Sequence, residues 1–463
     1  MHPSVLGAHD PAPFAARRAR LRARLGDRVA LIPAGSAASR NYPANRHPFR
    51  ASSHFLHLVG LPLEGAMLLT RPEGDRLLLP PLAEDHALWH GPAASAAAIR
   101  ERTGLLVGSL ESLEDELGGR DLGVLAPTCP RTRDRLAALL ERPLGVDAHV
   151  ESDLVLADAM IEERLAHDDL AVAELRRAAR ATVSAHRAGM AATRPGLRAH
   201  AIRAAMEGAL LELGMGTAYG SIVTPHGEIL HDESHHHVIS REDLVLADVG
   251  AESPLGYAGD VTRTWPASGR FGGRARALYS VVLEAQTRAI ARARPGVRFR
   301  DLHLGACRTL AEGLVDLGLL RGDVDGLVED GVHALFFPHG LGHLLGLDVH
   351  DMEDLGDRAG YAAGRRRSEA FGLGNLRLDR DLAPGMAVTI EPGLYFVPAI
   401  LDDPARRAAV GDRVDWERVE AFRRVRGIRI EDDVVVTDAG VEVLTLALPK
   451  APEAVEALVG SAS

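Results

Sequence analysis

Short apolar runs separated by turn residues fill the first 150 positions, and longer stretches of helical periodicity dominate the rest of the chain. The pattern predicts a helix over 14–25 with arginines on one face. Val29–Pro33, Phe55–Val59, Ala66–Thr70 and Arg76–Leu79 read as short strands with turns between them. An Ala-rich helix is expected near 83–100, followed by alternating elements to about 150. Residues 1–13, rich in Pro and Ala, are expected to fray. This is an α/β domain of its own. A long helical stretch near 162–192 opens a second domain, and Pro195-Gly196 stops it. Further helices are predicted near 199–213, 273–293 and 300–318, with Pro295-Gly296 between the last two. The segments RPGLRAHAI and RPGVRFRDL echo one another, each with Arg-Pro-Gly between helices. Leu244–Ala247, Val388–Ile390, Ile428–Ile430 and Val434–Val436 read as largely buried strands.

Three of those runs carry a carboxylate at one end. Asp248 closes the first, Glu391 follows the second, and Glu431 follows the third. An unpaired carboxylate in such a place costs several kcal/mol or shifts its pKa. Lys and Arg are too few in these runs to neutralise three, so cations are implied. Asp260, 12 residues after Asp248, is expected beside it across a strand–turn–strand unit. His343 adds an imidazole. Four carboxylates and one imidazole suit a pair of hard divalent ions. Such a pair polarises a carbonyl and generates hydroxide near neutral pH. Gly250, Gly259 and Gly393 lie close by, where backbone must turn or approach closely.

Composition narrows the partners. The length of 463 residues suggests two or three domains, and 46% hydrophobic content is enough for substantial cores. A net charge of −11 argues against nucleic acid as a general partner. Cys129 and Cys307 are too few for a disulfide framework and suit a reducing, cytoplasmic setting. No basic segment followed by an apolar one opens the chain, and no run of 18 apolar residues predicts a membrane span.

The segments LVLADVGAE, YAGDVTRTWP, PHGLGHLLGLDVHD, VTIEPGLYF and GIRIEDDVVVT occur in the order found in one family. Over roughly 165–450 the chain resembles the pita-bread metallopeptidases of the aminopeptidase P and prolidase branch. RHPFRASSHFLHLVGLP is similar to a stretch of that branch's N-terminal domain. The resemblance implies an α/β N-terminal domain over 1–160. It implies an α+β pita-bread catalytic domain over 161–463, with pseudo-twofold antiparallel sheets.

By the same resemblance Asp248 holds one metal, His343 and Glu391 the other, and Asp260 and Glu431 bridge. His231, His339 and His350 orient substrate and stabilise the tetrahedral intermediate, and Arg429 partners a site carboxylate. Glu391 also takes a proton from the nucleophile. The implied reaction is hydrolysis between an N-terminal residue and a following proline. The alternatives are a prolidase restricted to dipeptides and a metal-free binding homologue. Arg377 matches a prolidase-like arginine that binds a dipeptide's carboxylate. Trp89, in EDHALWHGP, matches a Trp that reaches a neighbouring subunit, which implies a homodimer or homotetramer; the alternative is a core Trp. Mn²⁺ is the expected metal, with Co²⁺ or Zn²⁺ possible. Two departures stand out: the Asp248–Asp260 spacing is one residue longer than is usual, and residues 397–426 form a prolidase-like insertion.

Three conspicuous features take plainer readings. His235-His236-His237 is expected on a solvated hairpin or rim, and Arg365-Arg366-Arg367 on a solvated face. The glycines of GLGHLLG are wrongly spaced for a dinucleotide fingerprint.

Overall fold

The computed structural model describes residues 10–117, 121–145 and 148–461. The chain divides into two compact units, Met1–Leu165 and Ala166–Ser463. The expected boundary at 160/161 falls inside a helix, Glu151–Arg164, rather than between elements.

The first unit is built on a five-stranded mixed sheet. Its strand order is Leu106–Ser109, Gly74–Leu79, Met67–Arg71, Val29–Pro33 and Leu122–Val124. The helices Ala12–Leu25 and Glu151–Arg164 pack on one another. Residues 12 and 13, expected to fray, open the first of these helices. Residues 1–9 lie outside the described part.

Two expectations fail here. The run at 55–59 is a helix, Ser53–Val59, not a strand. Its seven residues are all buried, so it shows no polar face to betray its period. The deciding signals are at its ends. Ser52 accepts a hydrogen bond from Phe55 N at 3.3 Å, and Gly60 closes the helix at φ +75°. A Cβ at Gly60 would also strike the Phe14 ring. The expected helix near 83–100 is two short ones, His86–His90 and Ala96–Thr103, divided at Gly91-Pro92.

In the second unit the long helix begins at Asp169, capped by the Asp168 carboxylate on Ala171 N at 2.9 Å. It therefore does not extend back to 162. Helix pairs Asp169–Ala192 with Ala199–Glu212, and Gly273–Arg292 with Phe299–Asp316, flank small sheets. One sheet orders Thr262–Pro266, Leu244–Asp248 and Ile222–Thr224; another orders Ala387–Ile390, Asp432–Val436 and Val441–Val443. All these pairings are antiparallel.

The internal echo is structural. Gly196 and Gly296 both have positive φ and donate N–H at 2.8 Å to Ile239 O and Leu382 O. Asp248 follows Ile239 by nine residues, and Glu391 follows Leu382 by nine. The duplicated scaffold thus delivers a carboxylate to the same place in each half. One continuous apolar core, including Trp265, Phe336, Phe337 and Tyr395, underlies both.

Candidate metal centre

Each half contributes the end of a strand. Asp248 is the last residue of Leu244–Asp248 and lies opposite Thr262 in the ladder. Between Asp248 and Asp260 the chain makes a smaller hairpin of its own. Glu252 bridges Ala258, and Ser253 N donates to Tyr257 O at 2.8 Å. That inner turn absorbs the longer spacing. Gly250 permits it, because a Cβ there would collide with Gly259 O.

The segment carrying His343 is laced to Ala387–Ile390 from the side. Thr389 N donates to His343 O, and His343 N donates to Thr389 Oγ1, both at 3.1 Å. Glu391 N donates to Leu341 O at 2.8 Å. Gly342 is needed because a Cβ would run into Thr389 O. Alternation along Gly427–Arg429 and onward puts Arg429 and Glu431 on one face.

The result is a cavity of about 350 Å³. It is lined by His231, Asp248, Asp260, His339, His343, His350, Arg377, Glu391, Arg429 and Glu431. His343 Nε2 lies 3.3 Å from Asp260 Oδ2 and 3.7 Å from Glu391 Oε1. Its Nδ1 is 2.9 Å from Leu344 O, so Nδ1 carries the proton and Nε2 faces the carboxylates. Ligand atoms of Asp260, His343 and Glu431 lie within 4.8 Å of one another, the sole such cluster among the described residues. Among the described residues the histidine triplet joins no such cluster: His235 bonds Ser221 O at 2.7 Å, and His237 faces Asp232 at 3.3 Å.

Burial dominates the electrostatics. It pushes the Glu391 carboxyl up to about 7, with Asp260 and Asp248 adding repulsion. It pushes Glu431 far above the carboxylate range, again helped by its acidic neighbours. Asp248 is raised too, chiefly by burial. For His343 burial acts downward, but Asp260 and Glu391 outweigh it and hold the imidazole at about 9. Protons are thus the counter-charges of this acid cluster, and divalent cations would displace them. The donor set, oxygen-rich with a single correctly turned imidazole, fits such ions.

Behind the carboxylates runs a hydrogen-bond scaffold. Arg429 Nη2 donates to Asp248 Oδ2 at 2.7 Å, and its Nε donates to Thr262 Oγ1 at 2.8 Å. Thr262 Oγ1 donates onward to Glu431 Oε2 at 2.8 Å. The Tyr219 hydroxyl is 2.6 Å from both Asp248 Oδ1 and Asp260 Oδ1. His339 Nε2 meets Tyr395 OH, and its Nδ1 meets Gly340 O, each at 2.8 Å. Burial, then Arg429, holds His339 down at about 3, so it is neutral.

Sequence reasoning missed Tyr219, Thr262 and Tyr395. Thr262 and Tyr395 sit inside the recognised motifs, where period-two spacing from a ligand was the available signal. Tyr219 is 29 residues from Asp248 and has no local signal. Arg367, expected on a solvated face, lines the cavity and bonds Leu376 O at 2.9 Å. Trp89 is in the first unit, on His86–His90, 71% exposed, with Nε1 on Asp85 Oδ2 at 2.9 Å. It is not a core residue.

Buried carboxylates gathered around one imidazole, open to a cavity and scaffolded from behind, define a metal-dependent hydrolase. The chain belongs to metallopeptidase family M24, whose model matches residues 173–438; that of the aminopeptidase P N-terminal domain matches 14–120. It is 30% identical to a Xaa-Pro dipeptidase of Homo sapiens, over 96% of this chain and 92% of that one. It is 33% identical to a probable Xaa-Pro aminopeptidase, PEPP, of Ajellomyces capsulatus, over 90% and 88%. The solved aminopeptidase PepP of Pseudomonas aeruginosa superposes with a TM-score of 0.79 at 32% identity, covering 97% of this chain and 98% of that chain. No helix among the described residues is long and apolar enough to cross a membrane.

Proposed function

We propose that the protein is a Xaa-Pro aminopeptidase, hydrolysing the bond between an N-terminal residue and a following proline. The observation that carries this is the convergence of Asp248, Asp260, His343, Glu391 and Glu431 on one cavity, with His231, His339 and His350 on its wall. In this reading Asp248 would hold one cation and His343 and Glu391 a second, with Asp260 and Glu431 shared between them. Mn²⁺ suits the oxygen-rich set, with Co²⁺ or Zn²⁺ as substitutes. When bound, such ions supply Lewis-acid polarisation of the scissile carbonyl and a water of lowered pKa.

The side chains do the rest. Glu391, on the cavity wall, takes a proton from the attacking water, then passes it toward the leaving nitrogen. An imide nitrogen leaves poorly unless protonated. His350 is placed on the cavity wall to orient the carbonyl as charge develops on it, while His339, neutral and with its ring nitrogens on Gly340 O and Tyr395 OH, shapes the wall beside it. Arg429 holds Asp248 in place. Proline has no N–H, so a site that does not require that donor can accept it. We further propose that exposed Trp89 serves a contact between subunits of a homodimer or homotetramer. Cys129 and Cys307, both free, are compatible with a cytoplasmic location.

The test is release of N-terminal alanine from Ala-Pro-Ala in Mn²⁺. Wild type cleaves it. His350→Ala keeps its metal but turns over about 10²–10³-fold more slowly, the usual effect of removing one preorganised donor. A wild type that leaves Ala-Pro-Ala intact sinks the reading; a His350→Ala protein stripped of metal would make His350 a ligand instead.

A further inference from the structure

The proposed reaction leaves open how much peptide the site accepts beyond the proline, and the cavity wall bears on it. Three arginines line the cavity, and each already faces a carboxylate of the chain itself. Arg429 pairs with Asp248 at 2.7 Å, Arg367 with Asp357 at 2.5 Å, and Arg377 with Glu353 at 2.6 Å. The first is buried. The second is further fixed by bonds to Gly374 O and Leu376 O. Arg377 alone is both half-exposed, at 39%, and held by its carboxylate partner without further backbone bonds. It is the one guanidinium there able to exchange its partner for a carboxylate arriving in the cavity.

Glu353 stands in the way. It opens a short turn, Glu353–Leu355, three residues after His350. Its Oε2 accepts from Arg377 Nη1 and lies 3.3 Å from His350 Nδ1, so one oxygen serves both cavity-lining groups. We propose that Glu353 is a specificity-determining residue: it takes the place of a substrate's terminal carboxylate on Arg377 and steers the site toward peptides that continue past the proline. This rests on the peptidase reading above and names its substrate class. A free dipeptide carries an anion at the proline end, which must compete with Glu353 for Arg377 and meets its charge. A longer peptide carries an uncharged amide there, whose N–H the Glu353 carboxylate can accept.

Steady-state kinetics on Ala-Pro, Ala-Pro-amide and Ala-Pro-Ala decide it, using the metal-loaded full chain. Glu353→Gln should lower KM for Ala-Pro about fivefold, the scale of exchanging one partly solvated ion pair. KM for the amide and the tripeptide should not fall. Glu353→Ala should act likewise, and the gain on Ala-Pro should vanish when Arg377→Ala is added. An unchanged preference in Glu353→Gln overturns the proposal. So does an equal fall of kcat on all three substrates, which would mean that Glu353 acts only through His350. A gain that persists without Arg377 overturns it too. A wild type inert on the amide and the tripeptide fails the aminopeptidase reading itself and takes this proposal with it.

Discussion

Asp260→Asn yields a folded protein that retains little metal and loses Xaa-Pro hydrolysis by several orders of magnitude. The carboxylate lies between the two halves of the site, 3.3 Å from His343 Nε2 and 2.6 Å from the Tyr219 hydroxyl. An amide presents one oxygen and no charge where the proposed bridging role needs two oxygens and a negative charge. Folding survives because Asn keeps the size of the side chain and its amide oxygen can still accept from the Tyr219 hydroxyl. Metal analysis beside activity checks the prediction. A fully metallated, active Asp260→Asn protein would refute the assignment of these ligands.

The largest effect on stability is expected one layer behind the site, at Asp432. This residue is 1% exposed. It accepts from Arg263 Nη2 and Thr445 Oγ1 at 2.7 Å, from Gln286 Nε2 at 2.8 Å and from Lys450 Nζ at 2.7 Å. Arg263 is itself fully buried and also donates to Glu431 O, so the pair backs the strand that carries a proposed ligand. Asp432→Ala leaves the Arg263 charge in the interior without its carboxylate, a loss of about 3–5 kcal/mol. Urea unfolding should show the lowered midpoint, and adding Arg263→Met should restore much of it. Burial opposes ionisation of Asp432, but Arg263 and Lys450 outweigh it and hold its carboxyl at about 2. The pair's contribution is therefore complete above the ordinary aspartate value of 3.8 and fades as pH falls from there toward 2. A loss below about 1 kcal/mol in Asp432→Ala would show the pair to be dispensable.

These two aspartates mark what the sequence made legible. Asp248, Glu391 and Glu431 stand out because each ends a run of apolar residues where a carboxylate is expensive. Asp260 and His343 stand out through their motifs. All ten site residues expected in the catalytic unit line one cavity. Asp432, adjacent to Glu431 in sequence, gives no such signal, because its partners Arg263, Gln286 and Lys450 come from distant segments. Tyr219 is hidden for the same reason, 29 residues from Asp248, and Glu353, although three residues past His350, has its partner Arg377 24 residues further on. The misread elements share a different cause. At 53–59 uniform burial erases the periodicity, and near 162–168 the Asp168 cap sits inside an otherwise helical stretch. Helix ends are set by single side chains such as Ser52 and Asp168, which a pattern of apolar positions does not register.

The central claim is that this site hydrolyses Xaa-Pro peptides only with divalent metal on its buried carboxylates. The most direct measurement titrates metal-free protein with Mn²⁺ while following alanine release from Ala-Pro-Ala and counting bound metal. The account predicts no turnover without metal and a plateau at about two ions per chain. Turnover that survives exhaustive chelation, or a plateau reached with no metal retained, would contradict it.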